Sequence, residues 1–192
     1  DVEGVRYKEP KLKIMGVEAV KSSTPAACRE KIKDALKIIM TKDNQELNSF
    51  IQDFRKDFMN LKPELIAYPR SVNGLNKWTE SHNLFKKGAP IHCKGAILYN
   101  HLLQDKKLQN KYPYIQEGDK IKFLHMKTPN VYQSTSISFM TKLPSELNLH
   151  NFIDYDMQFE KSFVEPLKFI TDIIRWQIDS SYGTQGTLEG FF

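Results

Sequence analysis

The chain has 192 residues, 40% hydrophobic and 11% aromatic, enough for one core and one domain with small attachments. Its net charge of +5 is uneven: residues 1–42 carry +4 and 65–127 carry +7, while 43–64 and 128–192 carry −2 and −4. No apolar run approaches the roughly 20 residues that span a bilayer. The charged opening DVEGVRYKEPKLK argues against a signal peptide, and Cys28 and Cys93 form no CxxC and no disulfide framework. No membrane partner is expected, and free, packed thiols in a reducing compartment are the simpler reading. The first residue is not Met, so the chain is read as a possible piece of a longer polypeptide.

In chain order, Lys11-Leu12-Lys13-Ile14-Met15 alternates and predicts a strand or extended segment with basic residues on one face. KSSTPAACREKIKDALKIIM predicts a helix, with Ser23 or Thr24 as N-cap and Pro25 at the first position. Cys28, Ile32, Leu36 and Ile39 form its apolar face, with Lys31, Lys33 and Lys37 pointing largely elsewhere. A second helix should start after Asp43-Asn44, bury Leu47, Phe50, Ile51, Phe54 and Phe58, and stop at Pro63. The short link predicts an antiparallel pair.

LIAY (65–68) reads as a short strand, followed by a polar loop with Asn73-Gly74 and Trp78. Gly88 and Pro90 lead into a helix through Ile91, Leu98 and Leu102, with Gly95 as a close-packing point. Glu117-Gly118-Asp119 predicts a turn into the strand KIKFLHM, with STSISFM as its neighbour. Residues 151–178 should be helical with an interruption near Pro166. The expected class is therefore α+β: mainly helical, with a small antiparallel β-element.

Catalytic constellations are scarce. Asp154-Tyr155-Asp156 resembles a D-x-D metal pair, but its flanks are helical, and acidic residues at a helix start also favour the macrodipole. His92 and Cys93 are adjacent and lack metal-ligand spacing. The expectation is no catalytic residue, no metal site and no cofactor in this chain. Binding signals are stronger. Lys11, Lys13, Lys21, Lys86, Lys87 and Lys94 lie at element ends or beside Gly, Ser and Thr, where ammonium and backbone N–H groups reach phosphates together. The blander reading of any one of them is a solvated surface lysine. The end of the chain, QGTLEGFF, places Gln185, Leu188, Phe191 and Phe192 in a Q-x-x-L-x-x-F-F pattern. Over one tight helical turn the leucine and two aromatics converge into a plug for a partner pocket. A tail tucked onto its own domain is the alternative.

EGVRYKEPKLKIMGVEAVKSSTP resembles the palm-to-thumb junction of family B DNA polymerases of T-even-like tailed phages. PIHCKGAILYN and QFEKSFVEPLKFI resemble segments of that family's thumb, and the tail resembles its peptide for the sliding clamp. The resemblance implies a palm remnant in residues 1–20, a thumb in 21–182 and a clamp-binding tail in 183–192. It implies grip on primer–template duplex DNA through the phosphate backbone, with Lys21, Lys161, His92, Lys94 and Lys86 or Lys87 as contacts. The implied partners are duplex DNA, the sliding clamp and the rest of the polymerase. The implied location is the cytoplasm of a bacterial host. Glu165 stands where close relatives have Lys, and its carboxylate opposes a phosphate contact there. The palm's lysine motif and metal-binding aspartates are missing, so Mg²⁺ belongs to the parent polymerase and this chain alone is expected to be inactive. A separately encoded subunit of a split polymerase and a non-catalytic clamp adaptor are the alternatives.

Overall fold

The computed structural model describes residues 21–179. The Lys11–Lys13 stretch and the tail residues Gln185, Leu188, Phe191 and Phe192 lie outside them.

Helix α1 (Ala26–Thr41) buries Cys28, Ile32, Ala35 and Leu36, as its apolar spacing requires. It starts one residue later than expected: Pro25 is the N-cap and supplies no side-chain hydrogen bond. The Thr24 hydroxyl is engaged instead by the Lys21 N–H at 2.9 Å, closing a local turn. Asp43 caps α2 (Asn44–Phe58) by accepting from the Glu46 N–H. The two-residue link folds α2 back on α1, so that Lys31 of α1 lies 5.5 Å from the ring centroids of Phe50 and Phe54. Lys31 is thus half-buried, not solvated: its stem covers apolar surface while its charge sits over aromatic rings.

The next elements correct the expected assignment. Pro63 does not end α2, which stops at Phe58, but starts a single turn, α3 (Pro63–Ile66). Proline suits a first helical position because the N–H it lacks would have no partner there. Strand β1 is Tyr68–Ser71, three residues later than expected, and α4 (Leu75–Trp78) interrupts the polar loop. Gly74 enters α4 at φ +81°, a conformation that favours glycine, and its N–H donates to Glu117.

Helix α5 (Ile91–Asp105), β2 (Lys120–His125) and β3 (Ser136–Phe139) form where expected. The sheet order is β1-β2-β3, all antiparallel, with Tyr68 opposite Phe123 and Phe123 opposite Ser138. Helix α5 lies against β3 through Gly95. The hydroxyls of Ser136 and Ser138 donate to the carbonyls of Ile91 and His92.

After two single 3₁₀ turns, α6 (Tyr155–Phe159) runs into a π-helical turn (Glu160–Val164) and then α7 (Glu165–Ile173). The interruption expected near Pro166 is this wide turn. Pro166 has no N–H for the carbonyl four residues earlier and its ring crowds that carbonyl, so the helix widens and continues. Phe54 and Phe58 of α2 pack against Phe159 and Phe163 with centroids 4.7 to 5.6 Å apart. Arg55 lies with its guanidinium 4.4 Å over Phe159 and donates to Glu160 at 2.5 Å. The resulting class is α+β, mainly helical with a three-stranded antiparallel sheet. Among the described residues no helix is long and apolar enough to cross a membrane.

Candidate nucleic-acid interface

Strands alternate their faces with period two. The register therefore puts Tyr68 and Arg70 of β1 on the same side as Ile121, Phe123 and His125 of β2. Tyr68 and Phe123, directly opposite, stack at 5.0 Å with 20° between planes. His125 meets both edge-on, at 6.0 Å from Tyr68 and 5.7 Å from Phe123. The Arg70 guanidinium stands 5.4 Å from each of the two stacked rings. His92, in the first turn of α5, lies 6.3 Å from Phe123.

Two more elements reach this surface. Arg70 Nη1 donates to the Ser23 carbonyl at 3.1 Å, which ties the Lys21–Thr24 turn to the sheet. Arg29 holds the same turn as well, donating to the carbonyls of Ser22 and Thr24. The π-helical turn supplies Ser162, beside the Tyr68 hydroxyl, and the exposed Lys161, whose charge is felt by His125. Of the sequence-predicted residues, the fold thus gathers the Lys21 turn, His92 and Lys161 around one aromatic pair. Glu165 acts on Tyr68 as well, so its carboxylate lies on this side.

Lys86 and Lys94 lie by other aromatic residues, and Lys87 is exposed next to Lys86 in the chain. Lys94 lies 5.6 Å over Phe85, Lys77 lies 4.9 Å over Trp78, and the Lys86 N–H donates to the Trp78 carbonyl. His92 and Lys94 are two residues apart on α5, roughly 200° around the helix, so they face opposite sides of its first turn. Tyr68, Arg70, Phe123 and His125 were not among the sequence candidates. The signal existed: alternation in YPRS and KIKFLH puts them on one face once β1 begins at Tyr68.

Burial dominates the electrostatics here. It pushes the Tyr68 phenol up and holds both imidazoles below their ordinary value of 6.5. For His125 the nearby Lys161 adds to the effect and Asp154 opposes it; for His92 Arg70 adds and a hydrogen bond with the Ser71 backbone opposes. A group whose folded pKa is lowered leaves stability unaffected above its unfolded value. It destabilises the fold as pH falls through that value, because only the unfolded chain takes up the proton. The urea midpoint is therefore expected to fall as pH drops below about 6.5. His125→Phe, which keeps a ring beside Tyr68 and Phe123, should flatten part of that fall. An unchanged pH profile in the variant would place the dependence elsewhere.

The cysteines and the acidic pair have structural positions. Cys28 is buried 3.4 Å from the Ser162 hydroxyl, and burial pushes its thiol up to about 11. Cys93 is buried with its Sγ 3.5 Å from the Asn73 carbonyl. Asp154 caps α6 by accepting from the Met157 N–H, and Asp156 lies 3.7 Å from Arg55. Among the described residues no group of three or more His, Cys, Asp or Glu could hold a metal ion.

The chain is 32% identical over 176 residues to the DNA-directed DNA polymerase of Escherichia phage RB69, and 29% identical over 171 residues to that of Enterobacteria phage T4. Its homologues are phage DNA polymerases. The matches cover 89% and 87% of this chain but only 19% and 18% of the polymerases, so the chain spans about a fifth of their length. No family model matches. Among solved structures, the family B DNA polymerase from the hyperthermophilic archaeon Pyrobaculum calidifontis aligns with a TM-score of 0.48 at 9% identity, over 82% of this chain and 19% of that one.

Proposed function

We propose that this chain is the duplex-holding end of a phage replicative DNA polymerase of family B: the end of the palm in residues 1–20, the thumb in 21–182 and a clamp-binding tail in 183–192. The observation that carries the reading is the gathering of the Lys21 turn, His92 and Lys161 on one aromatic-backed surface. The homology to phage DNA polymerases supplies the ligand class. Flexible cations over a rigid sheet suit backbone phosphates, which present one repeating charge whatever the bases. The surface holds the duplex and leaves chemistry to the parent enzyme. Asp154 and Asp156 are engaged in capping and in pairing with Arg55.

Grip and tether are carried by different residues, so two variants separate them. Lys21→Ala with Lys161→Ala should weaken binding to duplexes of any sequence and reduce the steepness of its salt dependence by about two contacts' worth, leaving binding to the phage's sliding clamp unchanged. Phe191→Ala with Phe192→Ala should abolish clamp binding and leave duplex affinity unchanged. Duplex binding equal at low and high salt in the unmodified chain would sink the grip, and clamp binding that survives loss of both phenylalanines would sink the tether. A clamp adaptor with no role in synthesis would tolerate loss of both lysines. A split-enzyme subunit would restore primer extension when mixed with the upstream polypeptide.

A further inference from the structure

We infer that Arg70 is a preorganised fork for a backbone phosphodiester of the bound duplex, an inference that rests on the duplex-holding reading above. Arg70 Nη1 donates to the carbonyls of Ser23 at 3.1 Å and Pro69 at 2.8 Å. Its charge stands over the stacked rings of Tyr68 and Phe123, 5.4 Å from each. These contacts fix the guanidinium plane and occupy one of its edges. The opposite edge, Nε–H with Nη2–H, has no hydrogen-bond or ion-pair partner among the described residues, and the side chain is half-exposed. That edge is the side-on pair of parallel donors that matches two oxygens of one phosphate.

Its neighbours select an anion from a polyanion. The Lys21 turn is bonded to Arg70 itself, His92 feels the Arg70 charge, and the Lys161 charge acts on His125 of the same cluster. Glu165 acts on Tyr68 from the start of α7 but forms no ion pair with Arg70, so the fork stays open. A guanidinium already ordered by two carbonyls and two rings loses little freedom when phosphate arrives, which raises affinity for a fixed number of contacts.

The test is fluorescence anisotropy of the 192-residue chain on a short labelled duplex of arbitrary sequence, at roughly 50 to 200 mM salt. Arg70→Gln should weaken binding roughly ten- to a hundred-fold and lower the log–log salt slope by about 0.9. Arg70→Lys should keep the slope and still lose affinity, because an ammonium cannot fork. Wild-type affinity in both variants, beside salt-dependent binding by the unmodified chain, overturns the assignment and leaves the duplex-holding reading standing. Salt-independent binding by the unmodified chain overturns both. A measurement on the unmodified chain removes any ambiguity from a misfolded variant. The sequence has five arginines, and the Arg70 Nε–H signal is the one absent from the nitrogen-edited spectrum of Arg70→Lys. It should shift on adding the duplex; no shift overturns the assignment.

Discussion

Gly95→Ala is expected to destabilise the fold by about 3 kcal/mol, the upper end of ordinary overpacking. A Cβ at this position would stand 2.5 Å from the Ser138 Oγ, 2.7 Å from the Ser138 nitrogen and 2.8 Å from the Ile137 carbonyl carbon. Two of those three atoms are backbone of β3, so no side-chain rotation relieves them. Either β3 moves off α5 or the helix shifts, and the hydrogen bond from Ser138 to the His92 carbonyl is lost with it. Helix propensity works in the opposite direction, since alanine is favoured over glycine inside a helix by only about 1 kcal/mol. The steric term therefore decides the sign. Thermal unfolding should show a melting temperature about 10 °C lower, taking 2–4 °C per kcal/mol for a chain of this size. Adding Ser138→Ala removes the nearest atom and leaves the two backbone contacts, so it should rescue only in part. A Gly95→Ala chain as stable as the original would show that α5 and β3 are not in contact there. Because His92 is in the first turn of α5, the same shift should weaken duplex binding.

Gln158→Ala should cost about 3–5 kcal/mol. Gln158 is fully buried and joins two elements: its Oε1 accepts from the His125 N–H at 3.0 Å, and its Nε2 donates to the Ile66 carbonyl at 2.8 Å. Its own backbone carbonyl takes the Ser162 hydroxyl. Alanine leaves two buried backbone groups without partners, each a loss of about 1–3 kcal/mol, and a cavity as well. Gln158→Glu separates these effects. As a carboxylate it can accept from His125 but cannot donate to Ile66; protonated, it can do both. Burial favours the protonated form, so this variant should lie nearer the parent's stability at pH 5 than at pH 8. Equal deficits at both pH values would mean that the Ile66 hydrogen bond contributes nothing. The Gln158 side chain holds the His125 backbone, and His125 packs against Tyr68, so its loss should also reduce duplex affinity.

The sequence carried much of this directly. The apolar spacing of α1 and α2, the turn before β2 and the β2–β3 pairing are local patterns, set by periods of 3.6 and 2 and by turn chemistry. The disturbance near Pro166 was legible because proline lacks an N–H, although whether it breaks or widens the helix was not. The start of β1 was misplaced because LIAY reads as an apolar strand, while the burial of Ile66 and Ala67 belongs to a helical turn and its exit. That slip of three residues hid Tyr68 and Arg70, since a strand's faces are known only once its register is.

By itself, then, the sequence determined the helices α1, α2 and α5, the β2–β3 pair, the basic blocks and the resemblance to a phage polymerase, all properties of neighbouring residues or short motifs. Only the tertiary structure decided which cations lie near one another. His92 and Lys94 are two residues apart and face opposite sides of α5. Ser23 and Arg70 are 47 residues apart in sequence and share a hydrogen bond. Lys161 comes to His125 from a later helix. Charge counts along a chain cannot show this, because the sheet register and the π-helical turn bring distant residues to one surface.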